Sequence, residues 1–122
     1  METNPKSTLI VTRRSPCQGG IAKSALDTVL AMAVFDQPVA LLFQGEGVLQ
    51  LLPDQATELL GRGSLSRQLE SLPLYDIDSL FVDAPAARHY GLDLTLCALA
   101  ISPLEDSQIR DLMLQHHTVL GF

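Results

Sequence analysis

The chain holds few residues able to do chemistry, and a thiol heads them. Of its two cysteines, Cys17 sits in Arg13-Arg14-Ser15-Pro16-Cys17-Gln18-Gly19-Gly20, whose proline and glycines read as loop. Neighbouring arginines and a helix expected to begin after Gly20 are surroundings that stabilise a thiolate. Cys17 is therefore either a nucleophilic thiol or an incidental loop residue. Cys97 lies in or beside an apolar run, where a small buried hydrophobe is the natural reading. Gln18-Gly19-Gly20 before a helix offers backbone N–H groups to an anion. It lacks the glycine spacing of dinucleotide and P-loop motifs, which leaves a plain turn. His116 and His117 are adjacent, so on a helix or a strand they point apart. His89 is distant from both in sequence, and no metal-binding set emerges. Asp76 and Asp78 flank Ile77 as an acid–base pair would, and equally as a solvated turn would. Ser15 and Ser24 stand in no nucleophile motif. No catalytic, cofactor-binding or metal-ligating residue is assigned.

The elements that would position these groups follow from apolar runs and their breaks. Leu9-Ile10-Val11 within Ser7 to Thr12 reads as a short central strand. Ile21, Ala25, Val29 and Ala33 recur every four residues, with Leu26, Leu30 and Val34 beside them, which predicts a helix over Ile21 to Phe35. Pro38 stops it. Val39 to Phe43 is a second, buried strand. Gly45-Glu46-Gly47-Val48-Leu49-Gln50-Leu51-Leu52-Pro53 then places a greasy turn, helical over Leu49 to Leu52, at the carboxyl end of that strand. This is the edge of an α/β sheet where ligands and partners bind. Ala56 to Leu60 and Leu65 to Leu72 fit short helices, the latter with Ser64 as N-cap. Ser79 to Val82 is the third strand, and Ala84 to Tyr90 a helix closed by Gly91. Leu96 to Ile101 is the fourth strand. Ser102-Pro103-Leu104-Glu105 reads as a capping box that opens a helix reaching Gln115. Thr118 to Phe122 forms a fifth strand, with Phe122 anchored. Strands alternating with helices predict a three-layer α/β sandwich on a mainly parallel five-stranded sheet, flavodoxin-like in its winding.

Bulk composition narrows the function classes. A chain of 122 residues argues for one domain spanning 1–122, with the polar residues 1–6 expected as a flexible N-terminus. Apolar residues make up 47% and charged residues 18%, the latter below the roughly 25% of an average domain. Either other subunits cover part of the surface, or a parallel sheet buried on both faces accounts for the excess. The net charge is −6, and Lys6, Arg13, Arg14, Lys23, Arg62, Arg67, Arg88 and Arg110 are scattered. Direct nucleic-acid binding, which needs clustered cations, is not expected. No apolar run nears the ~20 residues that span a bilayer, and the N-terminus lacks a signal-peptide core. A cytoplasmic protein with reduced thiols and no membrane contact is expected.

One resemblance joins these features. Gly47-Val48-Leu49-Gln50-Leu51-Leu52-Pro53, Leu74-Tyr75-Asp76-Ile77, Arg88 with Gly91-Leu92-Asp93, Pro103-Leu104-Glu105 and Val119-Leu120-Gly121-Phe122 resemble, in order and spacing, the TusC/DsrF branch of the DsrE/DsrF-like sulfur-relay proteins. The likeness runs from about Thr8 to Phe122. It implies a single DsrE/DsrF-like domain. It also implies a place in a TusBCD-type heterohexamer with two copies each of TusB-like, TusC-like and TusD-like chains. Such a complex takes persulfide sulfur from TusA and hands it to TusE, toward the 2-thio group of wobble uridine in tRNA. The DsrEFH counterpart serves sulfur oxidation instead. In the TusD-like sibling a cysteine before the helix after strand three carries the sulfur. Counting back from Gly91 places Asp83 at that position here, and no cysteine lies between Phe81 and Gly91. The resemblance therefore implies a structural and docking subunit with no catalysis and no cofactor of its own. A sulfurtransferase acting through Cys17 is the alternative. Within the greasy turn, Val48, Leu49 and Leu52 are the residues expected to meet a sibling subunit.

Overall fold

The computed structural model describes residues 4–16, 20–52, 64–97 and 99–122, the side chains of 4–6 and 64–67 excepted. Five strands form one sheet: β1 (Asn4–Thr12), β2 (Val39–Phe43), β3 (Leu80–Asp83), β4 (Ser102–Leu104) and β5 (His116–Gly121). Their order is β4-β3-β2-β1-β5 and every pairing is parallel. The helices between them are α1 (Ile21–Val34), α2 (Ser64–Ser71), α3 (Ala84–His89) and α4 (Asp106–Gln115). The sheet grows one way from β1 to β4, then crosses back past β1 to β5. Right-handed crossovers must then put the last helix on the opposite face from the others.

The core shows that division. Ile10, Leu41, Phe43, Leu80 and Val82 point to one face and pack against Ala22, Ala25, Leu26 and Val29 of α1, Leu69 of α2 and Ala87 of α3. Leu9, Val11, Ala40 and Leu42 point to the other and meet Ile109 and Leu112 of α4. Burial of both faces explains why β1 and β2 read as unbroken apolar runs rather than as alternating ones.

Most expected elements stand within a residue or two. β1 starts at Asn4, so residues 4–6, expected in a tail, are strand; Asn4 pairs with His116, and the register shifts before Thr8. The segment expected as a helix over 56–60 lies outside the described residues. The fourth strand is displaced: Leu94–Leu96 is a 3₁₀ turn, and β4 is only Ser102–Leu104. Asp93 starts that turn, accepting bonds from the Thr95 N–H at 3.0 Å and the Thr95 hydroxyl at 2.6 Å. Pro103, expected at a helix start, instead pairs with Val82. An edge strand tolerates proline because only one side of it is paired. The capping box accordingly lies three residues later: Glu105 is the N-cap of α4, and its N–H donates to Gln108 Oε1 at 2.9 Å. At the other end of the chain the Phe122 N–H donates to the Val11 carbonyl at 2.8 Å, and the Phe122 carbonyl accepts from the Arg13 N–H.

Two contacts fix how elements meet. Gly47 lies so close to the end of β1 that a Cβ there would stand 2.1 Å from the Thr12 carbonyl oxygen. Arg88 in the last turn of α3 donates to both oxygens of Glu105, at 2.9 and 2.8 Å, tying α3 to the start of α4. That hydrogen bond holds the Glu105 carboxyl below its ordinary value of 4.5.

Gly47→Ala should lower the free energy of unfolding by about 1–3 kcal/mol, read from urea titration, because the backbone on both sides must move apart. The Glu105 carboxyl is depressed in the folded state, so its contribution is present above 4.5 and lost as pH falls through the folded value. Stability should therefore drop more steeply below pH 4.5 in the parent than in Glu105→Gln. The difference should shrink in salt, since the pair is exposed.

Candidate functional site

β1, β2 and β3 end side by side at Thr12, Phe43 and Asp83. The chain leaving β2 is held against this edge. The Gln44 N–H donates to the Thr12 carbonyl at 3.0 Å, and Gly45 turns the chain with a φ of 56°. A 3₁₀ helix follows over Gly45–Leu51, longer than the single turn expected. Its apolar residues divide by direction. Val48 and Leu51 are buried in the core beside Phe43, while Leu49 is half-buried and Leu52 is 37% exposed. Val48, expected to meet a sibling subunit, thus belongs to this chain's own core. Residues three apart on a 3₁₀ helix eclipse, so Val48 and Leu51 share the inward face.

Asp83 is the last residue of β3 and the N-cap of α3. Its Oδ1 accepts from the Ala86 N–H and its Oδ2 from the Gly45 N–H, each at 3.2 Å. One buried carboxylate thereby joins the start of a helix to the turn that opens the greasy segment. Gln50, also buried, makes the matching link to β1. Its Nε2 donates to Thr12 Oγ1 and to the Arg14 carbonyl, both at 2.9 Å. Its Oε1 is buried with no hydrogen-bond partner.

These bonds brace the edge. A carboxylate that accepts two backbone N–H bonds is occupied as a structural acceptor, and it has no sulfur to transfer. Gln50 and the double use of Asp83 were not foreseen. A polar side chain inside an apolar run gives no sign of burial, although the glycines at 45 and 47 mark where the backbones approach closely.

Cys17, Gln18 and Gly19 fall outside the described residues. Gly20 is the N-cap of α1, which has no side-chain cap. Cys97 is a half-buried free thiol that follows the Leu94–Leu96 turn and packs on the α1-side core. His116 Nδ1 lies 2.8 Å from the Leu112 carbonyl, and His117 is exposed on β5. His89 meets the Tyr90 ring edge-on, centroids 4.9 Å apart. Asp76 follows a second 3₁₀ helix, Leu72–Tyr75, at a φ of 59°, and Asp78 is exposed beyond it. Among the described residues no group of His, Cys, Asp and Glu is placed to hold a metal. No helix there is long and apolar enough to cross a membrane. A cavity of about 480 Å³ between α4 and the sheet is lined by Ala40, Phe81, Leu104 and Leu112, and Asp83 is not part of its lining.

The comparison with known proteins agrees with this geometry. The model of the DsrE/DsrF-like family matches residues 6–122. The TusC homolog protein of Pseudomonas aeruginosa is 39% identical, over 94% of this chain and 97% of that one. Protein TusC of Klebsiella pneumoniae is 32% identical, over 72% of this chain and 74% of its own length. The crystal structure of the ychN protein from E. coli superposes on the whole chain with a TM-score of 0.80 at 16% identity, covering all of both, a likeness of fold. The chain belongs to the DsrE/DsrF-like family, on its TusC side.

Proposed function

We propose that this chain is a structural and docking subunit of a TusBCD-type sulfur relay, without catalysis of its own. In this reading it joins TusB-like and TusD-like chains, two copies of each, in the cytoplasm. The assembly receives persulfide sulfur from TusA and passes it to TusE, toward 2-thiolation of the tRNA wobble uridine. The observation that carries the reading is Asp83. It stands at the end of β3 and caps the next helix, where the resemblance places the sibling's sulfur-carrying cysteine, and both its oxygens are engaged by backbone N–H groups. Persulfide transfer needs an accessible thiolate, and a carboxylate tied in this way does not serve. The braced segment over Gly45–Leu51 then has a different use: it presents Leu49 and Leu52 at the edge where partners bind.

Co-expression with TusB-like and TusD-like chains should give a heterohexamer by light scattering coupled to size exclusion. A monodisperse monomer that ignores both would overturn the reading. Leu52→Asp, and to a lesser degree Leu49→Asp, should weaken assembly about tenfold or more, since a charge replaces an apolar contact. Val48→Asp should instead unfold the chain, because Val48 is fully buried. Cys17→Ser in the assembled complex should support full tRNA thiolation. Loss of thiolation there, with assembly intact, would establish the competing reading in which Cys17 carries persulfide.

A further inference from the structure

The edge of the sheet opposite the Gly45–Leu51 segment carries two helix endings of the same design. α1 closes with Val34-Phe35-Asp36, and the 3₁₀ helix before β3 closes with Leu74-Tyr75-Asp76. In each the aspartate takes a left-handed turn, with φ of 55° at Asp36 and 59° at Asp76. In each the next residue's N–H reaches back five residues to close the helix: Gln37 to the Met32 carbonyl at 2.9 Å, and Ile77 to the Leu72 carbonyl at 3.2 Å. This is the closure in which glycine is usual and least strained. The two endings lead into β2 and β3, which are neighbours in the sheet, and α1 packs against the Leu72–Tyr75 turn.

Their apolar side chains point outward. Val34 is 64% exposed, Phe35 75%, Leu74 84% and Tyr75 48%. Four large apolar residues left open on adjacent endings mark an interaction surface, and aromatic residues are the side chains that anchor such surfaces. Asp36, Asp76 and Asp78, all exposed, adjoin these residues in the chain, and among the described residues none of them is in an ion pair. Facing two copies of this rim would bring like charges together in a chain already at −6. A complementary surface has an apolar centre bordered by Lys or Arg.

We infer that Val34, Phe35, Leu74 and Tyr75, within the rim of Asp36, Asp76 and Asp78, dock a different protein chain whose contact face is apolar and edged with cations. The inference rests on the sulfur-relay reading for the identity of that chain, which is a TusB-like or TusD-like sibling rather than a second copy of this one.

Separately purified TusB-like and TusD-like chains are titrated with the parent and with two variants, by sedimentation velocity at low and high salt. Phe35→Ser/Leu74→Ser should weaken binding to one sibling by roughly 30-fold or more, the loss expected on removing two anchors. Asp36→Asn/Asp76→Asn keeps residues that tolerate the left-handed turn. It should weaken the same binding several-fold at low salt and flatten its salt dependence. Both variants should melt at the parent's temperature, because the groups removed are exposed. The inference is overturned if both variants bind within twofold of the parent while the parent assembles, and in that case the relay reading stands. It is also overturned if the parent self-associates and Phe35→Ser/Leu74→Ser abolishes that, which would make the occupant a second copy. If the parent binds neither sibling, this inference and the relay reading fall together.

Discussion

The carboxylate of Asp83 is the constraint on which the carboxyl edge depends. A parallel sheet leaves the ends of its strands as separate chains, each departing toward its own crossover. Asp83 joins two of those departures by accepting one N–H from the turn after β2 and one from the first turn of α3. Gln50 adds the third strand, since it reaches Thr12 and Arg14 at the end of β1. The 3₁₀ segment between these two anchors has little freedom, and Gly47 lets it sit directly on the Thr12 carbonyl. A thiol at position 83 would be a poor acceptor for both N–H groups. The residue that excludes sulfur chemistry at this position is the residue that orders the edge.

The winding of the sheet sets what lies elsewhere. The crossovers leading from β1 as far as β4 crowd one face, and among the described residues the return crossover leaves α4 as the helix packed on the other. The crowded face buries Leu26, Val29, Leu69 and Leu72 completely or nearly so. The helices on that face must all turn back at the amino ends of the strands, and there α1 and the Leu72–Tyr75 turn finish with their last apolar residues beyond the sheet. The apolar patch at that end follows from helices that overrun the strands they serve.

Much of this was legible in the sequence, for identifiable reasons. β2 was readable to the residue because five apolar residues stand between Pro38 and a glycine turn. α1 was readable because its apolar stripe has the period of a helix and ends before a proline. β4 was not readable. The apolar run over 96–101 outweighs Ser102-Pro103-Leu104 in any local reading, and only the partner strand β3 makes the second segment a strand. The start of α4 was misplaced because two overlapping signals compete, Ser102 with Glu105 and Glu105 with Gln108. Pairing with β3 takes the first out of contention. At the site, the position of Asp83 could be counted from Gly91, but its two hydrogen bonds join residues 38 and 3 apart, and the longer of these leaves no local trace. The direction of Val48 was hidden for a similar reason. A run of one Val and three Leu around one glutamine does not say which members face inward until the helix type is known.

The low share of charged residues, 18%, has two sources rather than one. Part belongs to the sheet, whose β1 and β2 side chains are buried on both faces and leave little place for charge. That part alone would leave an ordinary polar exterior, yet Leu52 is open at one end of the strands and Phe35 and Leu74 at the other. This chain leaves apolar residues open at both ends of the sheet, and at the carboxyl end, beside the Gly45–Leu51 segment, Asp83 accepts two backbone hydrogen bonds. On the reading proposed above, such a distribution fits a subunit held between neighbours.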